Sequence, residues 1–237
     1  MRRNNFMLNN NEFELIRESN SKCDRLFIKK ENKNNNFFFK TGTTTVGLCC
    51  KDAVILAADK RASMAYFVAS KTAEKIHRIQ NHLFLLIAGS VADAQYLVDV
   101  LRAQTSLYQL ERKKPIPIKT AGQLLSNVLY KNKMNPYYVG LILGGVTEKE
   151  GPILLDIGAL GSILPEKYCA VGSGQNFSFG VLEAKYKENL TIEEGKKIII
   201  SAVKSSIIRD MASGNGIDIV IINKEGLVEK EFISIEE

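Results

Sequence analysis

A glycine followed by three threonines, Gly42 to Thr45, sits in the stretch KTGTTTVGLCC (40–50). A threonine hydroxyl is a weak nucleophile at neutral pH and needs a base within hydrogen-bond reach. Histidine is scarce: His77 and His82 are the only two in 237 residues, and neither sits in a recognisable motif. A triad of Ser or Cys with His and Asp stays arithmetically open. A free α-amino group, with an ordinary pKa of about 7.7–8.0, is another base. An amino-terminal threonine carries nucleophile and base on one residue. Cleavage before Thr43 would create one. Gly42 suits such a place, because a residue without a side chain lets a neighbouring group approach its carbonyl. Cys23, Cys49, Cys50 and Cys169 show neither metal-ligand spacing nor a disulfide framework. They read as small buried apolar groups in a reducing compartment, with Cys49 and Cys50 on opposite faces of a strand.

The threonines must be held by a strand, since branched side chains suit a pleated surface. TTTVGLCC and AVILAAD (53–59), separated by the turn KD, read as two strands, and HLFLLIAG (82–89) follows after a charged connector. The period then changes. Ser90 with Asp93 resembles a capping box, and Leu97, Val100, Leu101, Gln104 and Tyr108 recur at helical spacing until ERKKPIP stops the helix. A second helix is predicted over 118–131. YYVGLILGGV and PILLDIGA, joined by TEKEG, form a hairpin signal. A third helix starts near Gln175, and a fourth opens at Thr191 with Glu194 at the capping-box position. IDIVIIN, the turn KEG and LVEKEFISI close the chain as a hairpin. Strands, two helices, strands, two helices, strands is not the alternation of a doubly wound sheet. It predicts an α+β fold of four layers, α-β-β-α, with two antiparallel sheets each covered by a helix pair.

The length allows one large domain or two small ones. Net charge is +6, but residues 1–42 hold nine Lys/Arg against five Asp/Glu. The main body therefore has no strong electrostatic reason to bind nucleic acid. Residues 1–42 are Asn- and charge-rich, with Phe37 to Phe39 as a lone apolar cluster, and read as a weakly ordered leader ending at the Gly42/Thr43 boundary. No run reaches the ~18 apolar residues of a membrane span, and the start lacks the apolar core of a secretory signal. A cytoplasmic protein that binds no membrane is expected.

Several motifs now agree in order and spacing. GTTTVG, AVILAADKRAS (53–63), KIHRI (75–79), AGSVADAQYL (88–97), VGSGQNFSFGVLE (171–183) and RDMASGNGIDI (209–219) together resemble a proteasome β subunit of archaeal type, within the N-terminal-nucleophile hydrolases. The likeness runs over residues 43–233.

The resemblance implies that 1–42 is a propeptide removed by self-cleavage at Gly42-Thr43, and that 43–237 is the catalytic domain of a threonine endopeptidase. It implies Thr43 as nucleophile, Lys75 as the positive charge beside its hydroxyl, and Asp59 and Arg61 as support for the lysine and its loop. Gly89 would donate its N–H to the oxyanion, and Ser173, Asp210 and Ser213 would hold the terminal amine and the lysine network. Ala62, Ala73, Ile87 and Val91 fall where the family lines its specificity pocket, and all four are apolar. Asp156 falls at a family position too and reads as structural. Met211 and Asn215 depart from the small polar residue and the aspartate common there.

The resemblance further implies a homo-oligomeric, heptameric β ring, two of them stacked, with α-subunit rings, an unfolding ATPase and unfolded polypeptide substrates as partners, and no metal or organic cofactor. Two alternatives stay open: a catalytically silent ring subunit, and another N-terminal-nucleophile amidase acting on a small substrate.

Overall fold

The computed structural model describes residues 42–64 and 66–235; the expected leader, Gly42 aside, and its Phe37 to Phe39 cluster lie outside the described residues. The first sheet contains β1 (Thr44–Cys49), β2 (Ala53–Asp59), β10 (Tyr168–Gly172), β11 (Gly216–Asn223) and β12 (Gly226–Ser234), in the order β10-β1-β2-β11-β12. The second holds β5 (Ile76–Gln80), β6 (Leu83–Gly89), β7 (Val139–Thr147), β8 (Gly151–Ile157) and β9 (Ile163–Glu166), in sequence order. All pairings are antiparallel. A small hairpin, β3 (Ala62–Met64) with β4 (Phe67–Ser70), stands apart. Among the described residues there are four helices: α1 (Val91–Arg112), α2 (Ile118–Lys131), α3 (Gln175–Lys185) and α4 (Ile192–Arg209).

The four layers follow from strand alternation. Along β2, Ala53, Ile55 and Ala57 pack with Ile199, Ala202 and Val203 of α4, while Val54, Leu56 and Ala58 pack with Leu86 and Ile142 of the other sheet. Along β6, Leu83, Leu85 and Ile87 meet Leu97, Leu101 and Leu125 of α1 and α2, while Phe84 and Leu86 face the first sheet. Central strands are thus apolar on both faces, which is why they read as unbroken apolar runs. Burying one such side chain stabilises the fold by roughly 1.5–3 kcal/mol.

The charged connector after AVILAAD folds into β3, β4 and β5. Two expectations need correction. In α1 the buried stripe is Ala94, Leu97, Val98, Leu101 and Thr105, and Gln104 is exposed. Ser90 Oγ does accept the Asp93 N–H at 3.4 Å, but the Asp93 carboxylate accepts the Tyr138 N–H at 2.9 Å instead of closing a box. Only Thr191 with Glu194 forms the full reciprocal box among the described helices.

Helix α2 follows Pro117, which offers no capping side chain. Its first amides are taken by a carboxylate from the β7–β8 turn: Ile118 N–H donates to Glu150 Oε2 at 2.7 Å and Lys119 N–H to Oε1 at 3.4 Å. A negative charge there also suits the helix dipole. Glu150→Ala is expected to cost about 1 kcal/mol, as a lost cap does. A urea titration showing no shift in midpoint would contradict this.

Candidate active site

Thr43 directly precedes β1, at the end of the sandwich where several strand and helix ends meet. It is buried, as are Thr44, Asp59, Ser63, Lys75 and Ser213. Two branches of polar groups reach it.

The first branch is the Asp59 carboxylate, which closes β2 and receives four donors. Its Oδ1 accepts Thr44 N–H at 2.8 Å and pairs with Lys75 Nζ at 2.6 Å. Its Oδ2 accepts Arg61 N–H at 3.1 Å and Gly214 N–H at 3.0 Å. Lys75, just before β5, also donates to the Arg61 carbonyl. Burial pushes the Lys75 ammonium below the usual lysine range, and the charge and hydrogen bond of Asp59, then the charge of Asp210, pull it back up. A desolvated cation, two hydrogen bonds from the Thr44 amide, favours the ionised form of any hydroxyl beside it.

The second branch is built by two helix ends. α3 begins after Gly174 and α4 stops at Asp210, so Ser173 and Asp210 fall side by side. Thr43 N–H donates to Ser173 Oγ at 3.1 Å; Ser173 Oγ–H donates to Asp210 Oδ2, as does Ser213 Oγ–H at 2.6 Å. Ser213 has one proton and gives it to Asp210, so in the 2.7 Å contact between Thr44 Oγ1 and Ser213 Oγ the threonine is the donor. Asp210 also accepts the Ala212 N–H at 3.2 Å. A carboxylate at a helix C-terminus opposes the macrodipole; its three local donors offset that cost. Ser173 is exposed and Asp210 half-buried, so this branch is open to solvent while the lysine branch is not.

The loops are locked in turn. Arg61 Nε donates to Asn215 Oδ1 at 3.0 Å and its Nη1 to the Met211 carbonyl at 3.0 Å. Asn215, at φ 67, uses its tolerance of the left-handed region. Ser206 Oγ–H of α4 donates to the Gly174 carbonyl at 2.7 Å, holding the Ser173 loop. Gly172, at φ 113, faces Thr44 across the β1–β10 ladder, and a Cβ there would run into the Thr43 carbonyl. Gly89 closes β6 at φ 120, with the Tyr138 carbonyl where a Cβ would stand. It lies immediately before Ser90, the N-cap of α1.

Of the residues expected from the resemblance, Thr43, Asp59, Lys75, Ser173, Asp210 and Ser213 form one hydrogen-bonded set joined through Thr44, with Arg61 bracing it, while Gly89 stands at the end of β6 opposite Val139. Among the residues expected to line a specificity pocket, Ile87 is buried and its N–H donates to the Lys75 carbonyl at 3.1 Å, Ala62 and Ala73 are half-buried, and Val91 is exposed. Sequence reading missed Thr44, which joins the two branches through its amide and hydroxyl, and Ser63, whose Oγ accepts the Gly42 N–H at 3.0 Å. A hydroxyl on a strand gives no signal beyond β propensity.

The other candidate groups lie elsewhere. Cys49 and Cys50 fall on opposite faces of the first sheet; burial pushes their thiols up to about 12 and about 11, which keeps them from being thiolates at neutral pH. His82 Nε2 bonds the Ile116 carbonyl at 2.9 Å, and His77 sits half-buried in β5. Half-buried Asp156 is raised, by burial and then by Glu166. Among the described residues, no three His, Cys, Asp or Glu are grouped to hold a metal, and no helix is long and apolar enough to cross a membrane.

Comparison with known proteins bears on the same residues. A family profile described as "Proteasome subunit" matches residues 39–222. "Proteasome subunit beta 2" of Aeropyrum pernix is 44% identical over 191 residues, covering 81% of this chain and 86% of the relative. "Proteasome subunit beta" of Methanocaldococcus fervens is 47% identical over 187 residues, covering 78% and 84%. "Proteasome subunit beta 2" of Nitrosopumilus maritimus is 43% identical over 185 residues, covering 78% and 88%.

Proposed function

This chain belongs to the proteasome subunit family, and we propose that it is a catalytic β subunit of the proteasome core, a threonine endopeptidase armed by its own cleavage at Gly42-Thr43. The observation that carries this reading is the bond from Thr43 N–H to Ser173 Oγ, backed by Asp210. A buried amide needs a partner in any case; what supports the reading is that this partner is a hydroxyl backed by a carboxylate, groups that would also hold and orient a freed Thr43 amine.

In self-cleavage, Thr43 Oγ attacks the Gly42 carbonyl carbon. The C–N bond breaks, the hydroxyl proton ends on Thr43 N, and residues 1–42 remain as an ester on Oγ. Water hydrolyses that ester, leaving a Gly42 carboxylate and a free Thr43 amine and hydroxyl. In peptide hydrolysis the amine takes the Oγ proton as Oγ attacks the scissile carbonyl, then delivers it to the leaving amine. Water releases the acyl group. Lys75 stabilises the developing alkoxide, and the Gly89 N–H holds the oxyanion, a role typically worth about 3–4 kcal/mol of barrier. The apolar set Ala62, Ala73, Ile87 and Val91 supports a preference for apolar side chains before the cut.

Family membership supports assembly into a proteasome core. The arrangement proposed is two stacked heptameric β rings of this chain between α-subunit rings, in the cytoplasm, fed with unfolded polypeptide by an ATPase. Hiding the sites inside such a chamber keeps a broad peptidase away from folded proteins. Intact mass of the assembled, active particle is expected to show Thr43 as the first residue. A working particle that retains residues 1–42 would overturn the proposal, since the base would still be an amide.

A further inference from the structure

The peptide bond to be cut is gripped on both sides. On the amine side, Thr43 N–H is held by Ser173. On the acyl side, Gly42 N–H donates to Ser63 Oγ at 3.0 Å, in a buried bond that spans 21 residues of chain. The Gly42 carbonyl accepts Thr43 Oγ–H at 2.6 Å, which brings the hydroxyl against the group it must attack. A Cβ on Gly42 would collide with Ala212 Cβ and Ser63 Oγ, so the glycine is wedged between β3 and the loop after Asp210. Ser63 is 4% exposed and stands beside an irregularity in the β3–β4 register.

We propose that Ser63 is a positioning residue for self-cleavage: its Oγ anchors the Gly42 amide, and so limits the rotations about Gly42 Cα that aim the carbonyl carbon at Thr43 Oγ. This rests on the reading of Thr43 as a self-liberated nucleophile. The bond exists only while Gly42 is attached. Once the leader departs, its donor is gone, and Ser63 bears on the arming step more than on later turnover. Backbone placement of this kind matters because an attacking oxygen must lie in a near-attack geometry, and small misplacements are costly.

The test separates the two steps. Ser63→Ala and Ser63→Thr chains are assembled with the leader, and its removal is timed by intact mass. The same substitutions are also made in chains whose Thr43 is exposed by an outside protease acting on a cleavable fusion, and peptide hydrolysis is measured. Self-cleavage in Ser63→Ala is expected to slow roughly three- to tenfold, the worth of one lost hydrogen bond. Ser63→Thr, which keeps the oxygen, is expected to recover most of that rate. Peptide hydrolysis by the pre-exposed alanine chain should fall much less than self-cleavage does. Equal leader removal in wild type and Ser63→Ala would overturn the proposal. So would a parallel fall in both steps, which would make Ser63 a substrate or folding residue. Failure of the underlying reading looks different: the wild-type chain itself would keep its leader while hydrolysing peptides.

Discussion

Thr43→Ala is expected to lower peptide hydrolysis by roughly 10³-fold or more, as loss of a nucleophile does in other proteases, and to leave residues 1–42 attached. Both losses come from one atom. The same Oγ that would cut substrate is the one that donates to the Gly42 carbonyl. That bond is its hydrogen bond in the structure, and the residue lies outside β1, so the fold should survive with a stability change near that of one hydrogen bond, about 1 kcal/mol. Assembly is therefore expected to persist, and inactivity would not be a folding artefact. Thr43→Ser keeps the oxygen and should retain both steps. Peptidase activity at the wild-type level in Thr43→Ala particles would remove Thr43 from the mechanism altogether.

Asp59→Asn is expected to be nearly as damaging as Asp59→Ala, despite its equal size. All four partners of the carboxylate are donors: Thr44 N–H, Lys75 Nζ, Arg61 N–H and Gly214 N–H. An amide offers one oxygen, so its NH₂ must face two donors whichever way it turns. Lys75, buried, also loses its countercharge. Removing one partner of a buried pair costs on the order of 3–5 kcal/mol, and activity should fall with it. The loss has a pH signature. Burial already lowers the Lys75 pKa and Asp59 opposes that, so the variant lysine sits lower still. Between that folded value and the unfolded one near 10.4, the unfolded chain binds the proton and the folded chain does not, so stability rises with pH. The wild type gains in the same way only above its own, less lowered Lys75 value, so urea unfolding across a pH series should show the deficit narrowing as pH rises from the variant's value to the wild type's. A constant deficit would mean the cost is steric.

Much of this architecture can be read without coordinates, and the gaps have physical causes. β2 and β6 are legible as strands because both faces are buried and the residues are apolar throughout. The full capping box at Thr191 marks α4, and the start of α3 falls at Gln175 as expected. β3 and β4 are not legible: Met64 and Phe67 are exposed, so the hairpin lacks the alternation that burial imposes. β9 contains Pro165, which argues against a strand unless it lies at an edge, where β9 does lie. Its neighbour β10 then crosses to the other sheet after Lys167 alone, a switch that no local pattern encodes. At the site, the chemistry of an amino-terminal threonine points to Thr43 unaided. Lys75, Asp59, Ser173 and Asp210 are isolated polar residues whose meaning comes from the family likeness. Thr44 and Ser63 carry no distinguishing signal, because their importance lies in which backbone groups happen to reach them.

The contributions of Ser173, Asp210 and Gly214 to one cluster set an order of events in the life of the chain. Those three residues come from the last third of the polypeptide, whereas the bond they flank lies near its beginning. During synthesis, Gly42 and Thr43 leave the ribosome long before their partners are made. Until α4 and β11 have docked, the nitrogen has no cradle and Asp59 lacks a donor. On the proposed reading, the arming cut would thereby wait until translation is essentially finished, and a truncated or half-folded chain would stay harmless.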